Sequence, residues 1–236
     1  MAIRYGAKRP AQGAGQLLSR CSDPEIEDAA AAASALTKSM QRLAESGRSV
    51  LTAVTQGELS VRQWQHWPQD DAHDRATGYR YYYHCHPGQG RSRSEHGHFH
   101  LFADAGEADD AVTHLAGIGV DAHGLPLRLF TTNRWVTDEQ WRSAPQVLQL
   151  LERFQMRRPR QFSAVHHWLQ ALLRMFGPQL RWLLRARDQR IRELRAGRPR
   201  PGLFDDRRVT ILSQIDVSLA EQAAVLDRLS SRPSVT

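Results

Sequence analysis

Two short segments, residues 79–86 and 96–102, constrain the fold more than any other part of the chain. Tyrosine, histidine and phenylalanine dominate both segments, and their character alternates from one residue to the next. The connection between them reads PGQGRSRSE, which is rich in turn-forming residues. Period-two alternation, aromatic enrichment and a connection of this kind are typical of two antiparallel strands joined as a hairpin. We therefore predict a β-hairpin as the first two strands of a meander.

The expected register collects histidines on one face of this hairpin. Antiparallel partners keep a constant sum of residue numbers, so a pairing of His84 with His98 also pairs Tyr82 with His100. Side chains two positions apart share a face. One face then carries five of the chain's eleven histidines, namely His84, His86, His96, His98 and His100. The alternate positions are mostly aromatic or aliphatic and suit a hydrophobic core.

A histidine cluster of this kind predicts a metal site. Cross-strand partners have Cβ atoms roughly 4.5–5.5 Å apart, so two or three imidazoles can reach one ion. A carboxylate from Glu95, Asp70 or Asp74 could complete the coordination. Metal binding also removes the repulsion that neighbouring histidines would suffer on protonation. We expect the five histidines to hold one divalent ion, which could be Fe, Zn, Mn or Cu.

The chemistry expected of such a site is that of a metal-dependent enzyme acting on a small-molecule substrate. Metal-bound water or dioxygen would be the reactive species, so both a hydrolase and an oxygenase are possible. Glu95 is the candidate acid or base, and Tyr82 is a candidate hydrogen-bond donor beside the metal. Arg134, at the end of a predicted strand, could clamp a carboxylate or phosphate. The alternatives are that it stacks on Trp135 or Trp141, or pairs with Asp138. The alternative is a non-enzymatic metal, haem or ligand-binding module without a fixed acid or base.

Several motifs resemble an uncharacterised bacterial family, a domain of unknown function. They are HWP at 66–68, YYYHCH at 81–86, EHGHFHLF at 95–102, THL at 113–115 and LFTTNRWVT at 129–137. The resemblance covers about residues 60–190 and implies no activity. It adds four polar candidates for a functional role: His66, His114, Asn133 and Arg134. The hairpin loop is longer than the family pattern, so its tip is not expected to be the shared functional element.

A second resemblance leads to different chemistry. Residues 96–100 fit the H-x-H-x-H spacing of the histidine-triad family, whose middle histidine attacks a nucleotide α-phosphate. His98 occupies that position here, although Gly97 departs from the apolar residue expected between histidines. That family also places its triad near the end of a compact domain, after a long helix, and this chain does not. A histidine-triad-like nucleotidyl hydrolase or transferase is therefore a further alternative.

The formal net charge of +7 raises the question of a nucleic-acid partner. Many of the arginines lie between residues 174 and 200, in an amphipathic helix pattern. Its apolar positions fall on one face: Leu180, Leu183, Leu184, Ile191 and Leu194. The arginines then form a solvated face, and the sequence contains no nucleic-acid-binding signature beside them. The pattern disfavours nucleic acid as a partner, although a phosphate-binding surface remains the alternative.

The remaining patterns predict an α+β fold with an antiparallel sheet of about four strands, flanked by N-terminal and C-terminal helices. Helices are expected between Asp23 and Gly47, after a Thr137–Gln140 capping box and Ser143, over 163–176, over 178–196 and over 209–229. Residues 1–20 are expected as a loose N-terminal arm, 21–197 as a single α+β domain and 198–236 as a linker and C-terminal helix. The chain has no apolar run long enough for membrane insertion, and its two cysteines form no framework spacing. We expect a cytoplasmic protein with free thiols.

Overall fold

The computed structural model describes residues 13–58, 62, 64–85, 94–106, 111–197 and 202–231. The helices are α1 (Ala14–Leu18), α2 (Asp23–Glu45), α3 (Val50–Val54), α4 (Arg134–Thr137), α5 (Ala144–Glu152), α6 (Ser163–Met175), α7 (Gly177–Gly197) and α8 (Leu219–Ser230). The strands are β1 (Trp67–Asp74), β2 (Tyr79–His84), β3 (Gly97–Asp104), β4 (Val112–Val120), β5 (Pro126–Thr132) and β6 (Ile211–Asp216). Two short 3-10 helices span Arg160–Phe162 and Leu203–Asp205.

The strands form one antiparallel sheet whose spatial order, β1-β2-β3-β4-β5-β6, follows the chain. The predicted α+β fold with an antiparallel sheet and flanking helices is confirmed. The prediction of about four strands was wrong, because the described part of the chain forms a sheet of six strands. The additional strands are β1, in a polar segment for which the sequence analysis predicted no strand, and β6, within the segment 209–229 that was predicted to be helical. Only the second half of that segment is helical, as α8.

The predicted register of the central hairpin is confirmed. Tyr82 pairs with His100, and His84 pairs with His98. A tight turn joins β4 to β5, and its Gly124 adopts a left-handed φ of 82° that suits glycine. The side chain of Asp121 stabilises this turn by accepting hydrogen bonds from two backbone N–H groups.

One face of the sheet packs against helices and forms the main core. Tyr81, Tyr83, Phe99 and Leu101 lie on this face and are fully buried. Phe99 contacts Trp168 of α6 at a ring-centroid distance of 5.5 Å. Helix α2 packs on α6, and α8 packs on α1 and α2. His84, His98 and His100, at the alternate positions, therefore point away from this core, toward the opposite face of the sheet.

The helix ends follow capping chemistry, with two corrections to the predicted positions. Helix α2 is capped by Ser22 and Glu25, which form a capping box, so the cap is not Asp23. The predicted capping box at Thr137 is wrong, because α4 ends at that residue and α5 is capped by Ser143. The arginine-rich helix predicted over 178–196 is confirmed as α7.

Candidate metal centre

Three histidines of the hairpin converge in the structure. His84 of β2 and His98 and His100 of β3 each offer one ring nitrogen, and these three atoms lie within 4.8 Å of one another. All three residues are buried, with 9, 4 and 2% of their surface exposed, respectively. The Nε2 atoms of His84 and His98 face each other at 2.8 Å. Two imidazole nitrogens in this arrangement can share a proton, or both can direct their lone pairs to one cation.

Of the other two predicted ligands, His96 does not join this group. His96 is exposed, and its Nδ1 lies 2.6 Å from the hydroxyl of Tyr83, on the core side of the sheet. Gly97 permits this contact, because a Cβ at that position would overlap the Tyr83 ring and the backbone oxygen of His84. His86 lies outside the described residues.

A buried ion pair lies behind His98. The Oε1 atom of Glu95 is 3.4 Å from Nδ1 of His98. Arg128 donates two hydrogen bonds to the same carboxylate, from Nε at 2.7 Å and from Nη2 at 3.0 Å. Burial alone would raise the pKa of Glu95, but the hydrogen bonds from His98 and Arg128 lower that pKa to about 2. Glu95 is therefore an anionic partner for the Nδ1 side of His98, which leaves Nε2 of His98 directed toward the other histidines.

A second chain of contacts lies behind His100. Its Nδ1 is 3.0 Å from Nε2 of His114, and Nδ1 of His114 is 3.3 Å from the hydroxyl of Thr132. Burial lowers the pKa of His114 to about 3 and that of His100 well below its usual range, so both rings are neutral. If His100 donates from Nδ1 to His114, and His114 donates to Thr132, then Nε2 of His100 keeps a lone pair for a metal.

A β-bulge brings His114 to this site. Leu101 pairs with Ala116, but the next residue of β3, Phe102, pairs with His114, so Leu115 is an extra residue in β4. Strict alternation would place His114 on the core face together with Ala116 and Ile118. The bulge turns its side chain to the histidine face instead. Sequence alternation alone contains no signal for this change of face, although the resemblance had indicated His114 as a polar candidate.

Aromatic side chains surround the three histidines. The Tyr82 ring lies 5.3 Å from the rings of both His84 and His100. Phe130 of β5 meets His98 edge-on at 5.3 Å and His100 at 5.6 Å. Burial, and to a smaller extent the carboxylate of Asp71, raises the pKa of Tyr82, so its hydroxyl remains a neutral hydrogen-bond donor. The three ring nitrogens therefore lie in a weakly polar environment.

His66 lies at the edge of this centre and is more exposed than the three histidines. Its ring stacks on Tyr82 with centroids 3.7 Å apart and planes 9° from parallel, and it lies 5.7 Å from the ring of His84. Its Nδ1 is 2.9 Å from Asp71, whose backbone has a left-handed φ of 51° at the bulge in β1. His66 was only a secondary candidate in the sequence, and no pattern there indicated its contact with Tyr82.

The described contacts of Arg134 are with a different part of the chain. Arg134 pairs with Asp205 at 2.6 Å and lies over the ring of Phe204, so the predicted alternative partner, Asp138, is not its partner. Asn133 caps α4 and donates to the backbone oxygen of Leu203. These contacts connect the end of β5 to the segment that follows α7.

The carboxylates of β1 that were considered as metal ligands are not part of the three-histidine group among the described residues. Asp74 accepts hydrogen bonds from the backbone N–H groups of Arg157 and Arg158. Asp70 is exposed.

Several arginines of α7 contact protein groups. The guanidinium of Arg187 lies 4.2 Å from the ring centre of Trp141 and donates to Asp188 and to the backbone oxygen of Arg142. Arg181 pairs with Glu25. No helix in the described part of the chain is long and apolar enough to cross a membrane.

The fold and the site define an α+β protein with a buried three-histidine group that could hold a metal ion. A family model described as "Domain of unknown function (DUF6969)" matches residues 30–217. The match covers most of the chain, so the protein belongs to this family, which confirms the predicted resemblance to an uncharacterised family. No curated protein and no solved structure gives a significant match.

Proposed function

We propose that this protein is a metal-dependent enzyme whose metal ion is held by His84, His98 and His100. The observation that carries the proposal is the convergence of three buried imidazole nitrogens within 4.8 Å. Two of these ligands are supported from behind, His98 by Glu95 and His100 by His114. Such outer contacts orient metal-ligating histidines and increase their basicity. A bound divalent ion would supply Lewis acidity and would lower the pKa of a coordinated water toward 7.

The donor set favours zinc among the four candidate metals. Three histidines with one open position are a known ligand set of catalytic zinc, and imidazole also suits copper. Manganese prefers oxygen ligands, and the common non-haem iron site requires a carboxylate that the described ligand group does not include. We therefore favour a hydrolase of a small-molecule substrate over an oxygenase. In this proposal Glu95 orients His98, and Tyr82 can donate a hydrogen bond to the substrate.

Burial supports a second candidate function, a non-enzymatic metal-binding module. His84, His98 and His100 are each less than 10% exposed, as expected of a closed site that excludes substrate. The histidine-triad chemistry has less support, because the Nε2 of His98 faces His84 at 2.8 Å and does not face an open surface. Hydrolysis of a panel of activated esters by the zinc-loaded protein would distinguish the enzyme from the module.

Elemental mass spectrometry of the protein purified without a histidine tag tests the metal site. We expect about one metal ion per chain in the wild type, and loss of that ion in a His84→Ala, His98→Ala double variant whose circular dichroism is unchanged. The matched control is a His123→Ala, His167→Ala double variant, which removes two exposed histidines and should retain the metal. Absence of metal after reconstitution with zinc, or full retention in the first variant, would contradict the proposal.

A further inference from the structure

We propose that the metal centre selects ligands with an anionic oxygen group, so that its substrates are small carboxylate-type anions. This inference rests on the three-histidine metal site proposed above. Three histidines would leave one coordination position of the ion open, and the proposal concerns the charge of the external ligand that occupies this position.

The protein ligands contribute no negative charge. A histidine that coordinates a metal does so as a neutral imidazole, so His84, His98 and His100 leave the two positive charges of the ion uncompensated. Among the described residues, the group that could hold the ion contains no carboxylate. The ring next to His100 is another histidine, His114. The backbone N–H of His114 donates at 3.0 Å to the buried carboxyl of Glu139. Burial raises the pKa of Glu139 to about 7, so this group is partly protonated at neutral pH and offsets only part of the charge of an ion.

The nearest carboxylate behind the ligands is already neutralised. Glu95 accepts two hydrogen bonds from Arg128, so the pair carries no net charge. Arg128 is itself fixed by Gln214, to which its Nη1 donates at 3.2 Å, and by the ring of Phe130 at 4.3 Å. It cannot leave Glu95 without breaking these contacts. The ion pair therefore orients His98 but does little to offset the charge of a metal.

A further carboxylate among the described residues is Asp71, at the solvent side of the site. Its side chain is 29% exposed and hydrogen-bonded to His66, so water screens its charge. The Tyr82 ring lies beside His84 and His100, and the Phe130 ring meets His98 and His100 edge-on. A divalent charge is strongly unfavourable in such weakly polar surroundings unless an anion accompanies it. An external anion fulfils this requirement and a neutral ligand of the same shape does not.

Titration of the cobalt-loaded protein with acetate and with acetamide tests this inference, since the two probes have nearly the same shape and differ in charge. Visible absorption of the cobalt ion reports a change in its ligands. We expect saturable spectral changes with acetate and at least about tenfold weaker binding of acetamide. Equal binding of the two probes, or no spectral change with acetate although cobalt is bound stoichiometrically, would overturn the inference and leave the metal site intact. Failure to bind cobalt or zinc at all would instead overturn the proposed metal site, and the inference with it.

Variants of Arg128 test the charge argument separately. Arg128→Gln leaves Glu95 anionic without its partner, so acetate affinity should fall by about tenfold or more through repulsion. Arg128→Lys retains the positive charge and should restore most of the affinity. If Arg128→Gln binds cobalt and acetate as tightly as the wild type, the charge argument is wrong. If that variant does not fold, the comparison of acetate with acetamide on the wild type still tests the proposed preference for anions.

Discussion

At the scale of single residues, glycines of β4 make the histidine face possible. Gly119 pairs with both His98 and Arg128, and it lies beneath the Glu95 carboxylate. A Cβ at Gly119 would be 3.0 Å from atoms of Glu95 and Arg128, which is tighter than an ordinary contact. Gly117 has a similar role, because a Cβ there would overlap the Phe130 ring. Both glycines therefore provide space for groups that support the ligands.

We predict that Gly119→Ala weakens metal binding about tenfold, because the added methyl group displaces the Glu95–Arg128 pair that orients His98. The free energy of unfolding should fall by about 1–3 kcal/mol from overpacking. Competition with a fluorescent zinc chelator and urea unfolding measure the two effects. The control is Gly177→Ala, where a Cβ would have no neighbour within 4 Å. Unchanged zinc affinity in Gly119→Ala would show that the pair does not support His98.

At the scale of elements, the sequence predicted the strands whose alternation is regular. The shared face of His84, His98 and His100 was predicted from the alternation of side chains along each strand and from the antiparallel pairing of His84 with His98. Strand β1 was missed because its sequence, WPQDDAHD, is polar and its register is interrupted. Strand β6 was missed because Ile211 and Ile215 are four residues apart. This spacing fits one face of a helix as well as one face of a strand, so the pattern did not distinguish the two. The sequence did not predict the face of the sheet on which His114 lies, because a β-bulge reverses the alternation at that residue.

Helix α6 carries two adjacent histidines with different environments. His167 is exposed, whereas His166 is buried against Tyr81, with ring centroids 5.8 Å apart. Neither ring nitrogen of His166 has a hydrogen-bond partner among the described residues. Burial lowers the pKa of His166 to about 4, so the ring is neutral at pH 7.

We predict that His166→Leu raises the free energy of unfolding by about 1–2 kcal/mol, because it removes a buried polar ring without partners. Urea unfolding at pH 7 measures this change. His167→Leu, on the exposed side of the same helix, should alter stability by less than about 0.5 kcal/mol. A loss of stability in His166→Leu would mean that the imidazole makes a favourable buried interaction.

At the scale of the whole molecule, buried titratable groups determine how stability depends on pH. The pKa values of His100, His114 and His166 are lowered by burial, so these rings are neutral in the folded protein and take up protons on unfolding below pH 6.5. Their stabilising contribution is therefore lost as pH falls from 6.5 toward their folded pKa values. Burial raises the pKa of Glu139 to about 7, so its contribution has the opposite sign and is lost as pH rises from 4.5 through 7.

We predict that the metal-free protein is most stable near neutral pH and loses about 3 kcal/mol per pH unit around pH 5. Three histidines favour unfolding in acid and one glutamate opposes it, which leaves a net uptake of about two protons on unfolding. Urea titrations at a series of pH values, after treatment with a chelator, measure the slope. His166→Leu should reduce this slope by about 1.4 kcal/mol per unit, the value for one proton. A flat profile between pH 4.5 and 6.5 would contradict the assignment of neutral buried histidines.

The order of strands along the chain also has a consequence for biosynthesis. Tyr82 and His100 are 18 residues apart, whereas the β5–β6 partners Phe130 and Gln214 are 84 residues apart (214 − 130). At roughly 5–20 residues per second, a ribosome needs about 4 to 17 s to add those residues, and the outer edge of β5 stays unpaired meanwhile. An open strand edge invites pairing with other chains. We therefore expect nascent chains arrested before residue 211 to bind chaperones or to aggregate, and chains that include β6 to remain monodisperse.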